Sequence, residues 1–175
     1  MKFWITVITS SYLLACNAWA DAPPNYLTYS DQLASSGQPT AAQLEILAQQ
    51  GTERVISLAF SDEDGTPEHQ DRLTVDLGMQ FARLPISGDR LTVGDFNAFS
   101  AVLASSPQNT LVHCRSNKRA SVFVYLHRVI HDKVPEADAR KDLEKVWQPS
   151  GTWASYINEV FAAYGVSPVS AQDDS

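Results

Sequence analysis

Thr110-Leu111-Val112-His113-Cys114-Arg115-Ser116-Asn117-Lys118-Arg119-Ala120 is the stretch on which the fold turns. Its first four residues make a short apolar run with the length of a fully buried strand. From Ala120 to Ile130 the chain is apolar nearly all round, which predicts a helix packed on several sides. Between the two lies a polar loop with a cysteine at its entrance and an arginine at its exit. A buried strand passing directly into a helix is the repeating unit of a parallel sheet covered by helices.

The same alternation extends in both directions. Upstream, a strand around Gln32 to Ser35 runs into Ser36-Gly37-Gln38-Pro39-Thr40, where Thr40 caps a helix over Ala41 to Gln50 and Gln43 completes a capping box. Arg54 to Ala59 is rich in β-branched and apolar residues and reads as a strand, followed by the acidic loop Ser61-Asp62-Glu63-Asp64-Gly65. Pro67 opens a polar helix to about Leu77, Met79 to Ile86 is a further strand, and Val93 to Ala104 is a helix with Phe96, Phe99, Val102 and Leu103 on one face. Downstream, helices are predicted over Pro135 to Trp147 and Thr152 to Tyr164, the latter stopped by Gly165. The expected architecture is a single α/β domain over residues 31–165, with a mostly parallel central sheet flanked by helices.

Outside that unit, residues 21–30 read as an irregular leader and 166–175 as a polar, flexible tail. Residues 1–20 have the form of a signal peptide: Lys2, an apolar stretch from Phe3 to Ala15, and the small-x-small site Ala18-Trp19-Ala20. The expected location is therefore periplasmic or secreted, with cleavage after Ala20 and no transmembrane anchor; Leu13-Leu14-Ala15-Cys16 is a rival signal in which Cys16 is lipidated. The chain has 175 residues, 44% of them hydrophobic, and a formal charge of -7. That acidic balance argues against nucleic acid or an anionic membrane surface as partner. Of the two cysteines, only Cys114 remains once residues 1–20 are removed. A lone cysteine in an oxidising compartment is either buried and inert or kept as a reactive thiol.

The surroundings of Cys114 favour the reactive thiol. Loop amides from Arg115 to Arg119 can curl into an anion-binding nest, and the positive end of the helix dipole points at the same spot. Both favour thiolate over thiol. Arg119 at the helix start can set its planar guanidinium against two oxygens of an oxyanion. Nucleophile, cradle and clamp thus fall within six residues, an arrangement suited to a phosphorylated substrate or a small oxyanion.

His113-Cys114 followed by Arg119 resembles the phosphate-binding loop of cysteine-dependent protein tyrosine and dual-specificity phosphatases, whose usual form is His-Cys-x5-Arg-Ser/Thr. Here four residues intervene, and Ala120 stands where the arginine of that spacing would be. The shorter form, with Ser36-Gly37-Gln38-Pro39-Thr40 and Val55-Ile56-Ser57-Leu58 before it, is similar to a bacterial phosphatase-like domain family also found in beta-lactamase-hydrolase-like fusion proteins. The resemblance covers about residues 30–145. It implies a dual-specificity-phosphatase-like fold and hydrolysis of phosphate monoesters through a phosphocysteine on Cys114. The oxyanion would be bound by Arg115, Ser116, Asn117 and Lys118 with Arg119, and His113 would orient the loop. Asp89, after Leu84-Pro85-Ile86, matches the position of the general acid, with Asp62 and Asp64 as substitutes. Asn117 occupies a place where related loops carry glycine, and asparagine is the residue that best tolerates left-handed backbone after glycine. Ser121 is a candidate to assist the leaving thiolate.

Two other chemistries fit the same residues. A six-residue loop of Cys-Arg-x-x-x-Arg form also resembles rhodanese sulfurtransferases, in which the cysteine carries a persulfide. The third reading is a catalytically weak oxyanion-binding module. His127 and His131 have the i,i+4 spacing of metal ligands, but Arg128 replaces the glutamate of a zinc-protease motif and no third ligand is evident, so no metal is expected. Nucleotide, dinucleotide and dithiol motifs are absent from the sequence, and no cofactor is implied.

Overall fold

The computed structural model describes residues 22–106 and 108–167. Residues 1–20, with the expected cleavage site at Ala20 and the lipidation candidate Cys16, lie outside them, as do residues 168–175. Five strands form one sheet: β1 (Leu27–Ser30), β2 (Leu33–Ser36), β3 (Arg54–Ser57), β4 (Gln80–Arg83) and β5 (Thr110–His113). Six helices accompany them: α1 (Ala41–Gln49), α2 (Gln70–Asp76), α3 (Val93–Ala104), α4 (Lys118–Ile130), α5 (Glu136–Val146) and α6 (Thr152–Ala163). The sheet order is β1-β2-β5-β3-β4, with β2-β5, β5-β3 and β3-β4 parallel. The central strand is β5, and all four of its residues are buried, as its apolar reading requires.

One edge corrects the sequence reading. Leu27–Ser30 is a strand, not part of an irregular leader, and it pairs antiparallel with β2 through Leu27 opposite Ser35 and Thr28 opposite Ala34. Its side chains alternate between half-buried and exposed, the pattern of an edge strand with one wet face. The inward residue Tyr29 shares a 2.8 Å hydrogen bond with the Ser35 hydroxyl and lies under the Arg128 guanidinium, 4.8 Å from the ring centroid. Four residues of mixed polarity carry too little pattern to be read as a strand without the partner that pairs them.

Helix caps explain where the chain turns. Thr40 and Gln43 form the expected reciprocal capping box, and Thr92 with Asp95 forms a second at the start of α3. Helix α2 begins at Gln70 rather than at Pro67, because His69 takes a left-handed conformation (φ 51°) that sets the helix start behind it. Helix α4 starts at Lys118, two residues before the apolar run, behind left-handed Asn117. Ten of its thirteen residues are buried, since it packs on the sheet and against α3, α5 and α6. The main core gathers Ile56, Leu58, Phe96, Phe99, Phe123 and Phe161 around it. No helix among the described residues is long and apolar enough to cross a membrane.

Candidate active site

Parallel strands send their C-terminal ends to one side of the sheet, so the loops after β3, β4 and β5 meet there. Cys114 follows β5 directly. Its N–H donates to the Ser36 carbonyl at 3.3 Å, and its side chain is only 1% exposed, packed into the main core. The loop beyond it is held from outside. The Arg115 carbonyl accepts from the Gln38 N–H at 3.1 Å, and the Ser116 carbonyl accepts from Asn25 Nδ2 at 3.1 Å. Ser116 also makes an isolated antiparallel bridge with Gly37, so this side of the loop is tied to the chain that follows β2. Gly37 is required by this contact: a Cβ there would lie 3.0 Å from Pro24 and 3.1 Å from the Arg115 carbonyl oxygen.

Asn117 is the hinge between loop and helix. It adopts φ 69°, is fully buried, and donates from Nδ2 to the Asn25 carbonyl at 2.6 Å. Residues 22–26, expected to lie outside the domain, therefore clamp the loop that carries the cysteine. Ser121 is buried and donates to the Lys118 carbonyl at 3.1 Å.

Above the loop is a cavity of about 430 Å³, lined among others by Arg115, Lys118, Arg119, Asp89, Glu63 and Trp153. The fold thus brings together the three cations and the candidate acid, from two different loops and the first turn of α4. Asp89 is exposed, with its N–H donating to the Ser87 hydroxyl. Lys118 lies 5.3 Å over the Trp147 ring, whose Nε1 donates to the Lys118 carbonyl. Ser116 and Asn117 are not on the cavity wall; the Ser116 carbonyl and Asn117 Nδ2 both face Asn25. Nor are Cys114, which is packed into the core, and His113, which is wholly buried beneath the loop with Nε2 3.1 Å from the Gln70 side-chain amide. Burial in an apolar setting, with Arg83 adding to it, lowers its pKa to about 3, so the ring is neutral at neutral pH.

Sequence reasoning missed Glu63. Both of its carboxylate oxygens accept from Arg119 Nη2, at 2.6 and 2.5 Å, while Nη1 donates to the Leu58 and Ile86 carbonyls at 3.1 and 2.8 Å. The adjacent Asp64 pairs with Arg115 at 3.2 Å on the exposed rim. The acidic loop was visible in the sequence as a possible source of carboxylates; which of its three acids turns inward depends on the turn at Phe60 to Glu63, which periodicity does not encode.

At the opposite end of the sheet a second cavity, of about 780 Å³, is bordered by Arg54, Ser100, His127 and His131. His127 Nδ1 is 3.1 Å from the Ser100 hydroxyl. Among the described residues no group of three His, Cys, Asp or Glu side chains is arranged to hold a metal ion.

The fold is that of the protein tyrosine and dual-specificity phosphatase-like proteins, and in sequence the chain resembles bacterial members of that class. A candidate phosphatase (DUF442) from Shewanella putrefaciens CN-32 is 28% identical, with a TM-score of 0.73 over 81% of this chain and 94% of that one. The core catalytic domain of the PP-IP phosphatase Siw14 from S. cerevisiae shares the fold at 16% identity, with a TM-score of 0.64 over 78% of this chain and 85% of that one. The beta-lactamase hydrolase-like protein of Xylella fastidiosa (strain Temecula1 / ATCC 700964) is 28% identical over 108 residues, 60% of this chain. The chain spans about a quarter of the length of the curated relatives it matches. No family model matches it.

Proposed function

We propose that the protein is a cysteine-dependent phosphatase that hydrolyses phosphate monoesters, acting outside the cytoplasm if residues 1–20 direct its export. The observation that carries this reading is the path from buried β5 through Cys114 to Arg119 in the first turn of α4, with Arg119 and Asp89 on the wall of one cavity. The likeness to DUF442 candidate phosphatases supports it. So do the cations on that wall, Arg115, Lys118 and Arg119, although Asp64 and Glu63 pair with the two arginines.

In this mechanism the Cys114 thiolate attacks phosphorus, forming an S–P bond as the bond from phosphorus to the ester oxygen breaks. Asp89 transfers its proton to the departing oxygen. The loop N–H groups, Arg115 and Arg119 stabilise the equatorial oxygens as charge spreads over them. Water then attacks the phosphocysteine, the S–P bond breaks, and the water proton passes to the Asp89 carboxylate, restoring thiolate and acid. His113, neutral and buried, acts as a positioning residue below the loop.

The test is p-nitrophenyl phosphate hydrolysis run beside thiosulfate-to-cyanide sulfur transfer, each with wild type and Cys114→Ser. Phosphate release that depends on Cys114 is the expected result. Thiocyanate production alone would move the assignment to sulfur transfer, the reading that the four-residue spacing between Cys114 and Arg119 favours.

A further inference from the structure

A guanidinium has five N–H donors, and in Arg119 four of them are already engaged. Nη1 spends its pair on the Leu58 and Ile86 carbonyls, which fix the plane of the group. Nη2 spends its pair on the two oxygens of Glu63. Only Nε–H has no partner among the described residues. The fork that an oxyanion would use is held by a carboxylate of the protein itself, in a pair only 14% and 19% exposed and so weakly screened by salt.

Glu63 is anchored where it can be released. Its Oε1 also accepts from the Phe60 N–H at 3.2 Å, closing a four-residue turn whose middle residues Ser61 and Asp62 are exposed. Asp64 and Gly65 beyond it are exposed too, and Phe60 itself is 39% exposed. The turn holds no buried apolar side chain that would oppose a swing outward. The same turn sets Asp64 on Arg115, so one short segment neutralises both arginines of the cavity.

We propose that Glu63 is a specificity-determining residue: an internal carboxylate that substrate oxyanions must displace from Arg119, which makes the site select doubly charged oxyanions over singly charged ones. This deepens the phosphatase reading and rests on the cavity being an oxyanion site. Exchanging one singly charged oxygen pair for another gains little and leaves the Glu63 charge uncompensated nearby. A dianion brings twice the charge to the same fork, with Arg115 and Lys118 beside it, and wins the exchange.

Tungstate and perrhenate are tetrahedral oxyanions of similar size carrying two charges and one, so they separate charge from shape. Calorimetric titration of wild type should give tungstate binding at least about tenfold tighter than perrhenate. Glu63→Gln keeps the side-chain size while removing the charge; it should bind both anions more tightly, perrhenate gaining most, so that the discrimination collapses. Weaker or unchanged binding by Glu63→Gln, intact discrimination, or no binding by either protein overturns the proposal. Should the variant misfold, wild type alone decides: saturating tungstate should speed amide exchange over residues 60–64, and unchanged or slowed exchange there refutes displacement. Tungstate bound and Glu63 displaced, but no hydrolysis of p-nitrophenyl phosphate, would remove the catalytic reading and leave this one standing.

Discussion

The Asn117 side chain donates to the Asn25 carbonyl at 2.6 Å, while Asn25 Nδ2 donates to the carbonyl of Ser116, the residue just before Asn117. Two asparagines ninety-two positions apart thus lock the loop that starts α4, and Asn117 does so from a left-handed conformation, φ 69°. Glycine would supply the backbone geometry without the bond, and alanine would supply neither. Asn117→Gly should cost about 1 kcal/mol of stability and Asn117→Ala about 2 kcal/mol, read from urea unfolding. An alanine variant as stable as the glycine variant would show that left-handed geometry is not what the position demands.

Deleting residues 22–30 should lower the melting temperature by roughly 10 °C, because it removes β1, the Tyr29 contacts with Ser35 and Arg128, and the Asn25 clamp together. Anion binding should weaken as well, since the loop loses its outer support. A truncated chain that melts with wild type would return this segment to the status of a leader.

Asp89→Asn should reduce turnover of phenyl phosphate about 100-fold, and that of p-nitrophenyl phosphate by less, because the nitrophenolate leaves without needing a proton. Equal losses on both substrates would mean that Asp89 binds rather than protonates.

Arg54 is a buried cation whose partners are all neutral: Nε donates to the Thr110 hydroxyl, Nη1 to the Val102 carbonyl and Nη2 to the Leu103 carbonyl. It caps the C-terminus of α3 from the neighbouring strand, where the helix dipole favours positive charge. Arg54→Met should cost about 3 kcal/mol by leaving those acceptors unpaired, and Arg54→Lys should recover less than half, since one ammonium cannot span them. Chemical denaturation measures both. A methionine variant within about 0.5 kcal/mol of wild type would contradict the capping role.

Stability should fall in mild acid through His113. Its folded pKa, about 3, is below the ordinary histidine value of 6.5, so the unfolded chain binds the extra proton first. The contribution is complete above pH 6.5 and is lost as pH falls toward 3, with a slope of at most about 1.4 kcal/mol per pH unit. Asp142, held low by Lys145 and Arg128 against the opposing effect of burial, adds a loss of the same sign only below the ordinary aspartate range. Denaturant midpoints of wild type and His113→Asn between pH 7 and 4 test this; the variant should show a flatter profile.

By itself the sequence determined the order of elements from β2 onward, the parallel core and the strand-loop-helix unit that carries Cys114 and Arg119. Those features rest on short-range rules: apolar runs of strand or helix length, capping residues and turn chemistry, each read within about a dozen positions. Asn117 was legible on the same grounds, because a left-handed residue at a tight turn narrows the choice of side chain. Tertiary structure alone decided that Leu27–Ser30 is a strand, that Asn25 clamps the loop, and that Glu63 rather than Asp62 or Asp64 holds Arg119. Each of these joins residues more than fifty positions apart or an edge strand to its partner, and the energy resides in a pairing that neither segment has alone. Arg119 makes the division plain: its place at the head of α4 follows from local sequence, while the partners that hold its guanidinium come from the loops after β3 and β4, which meet it only because parallel strands deliver their ends to one side of the sheet.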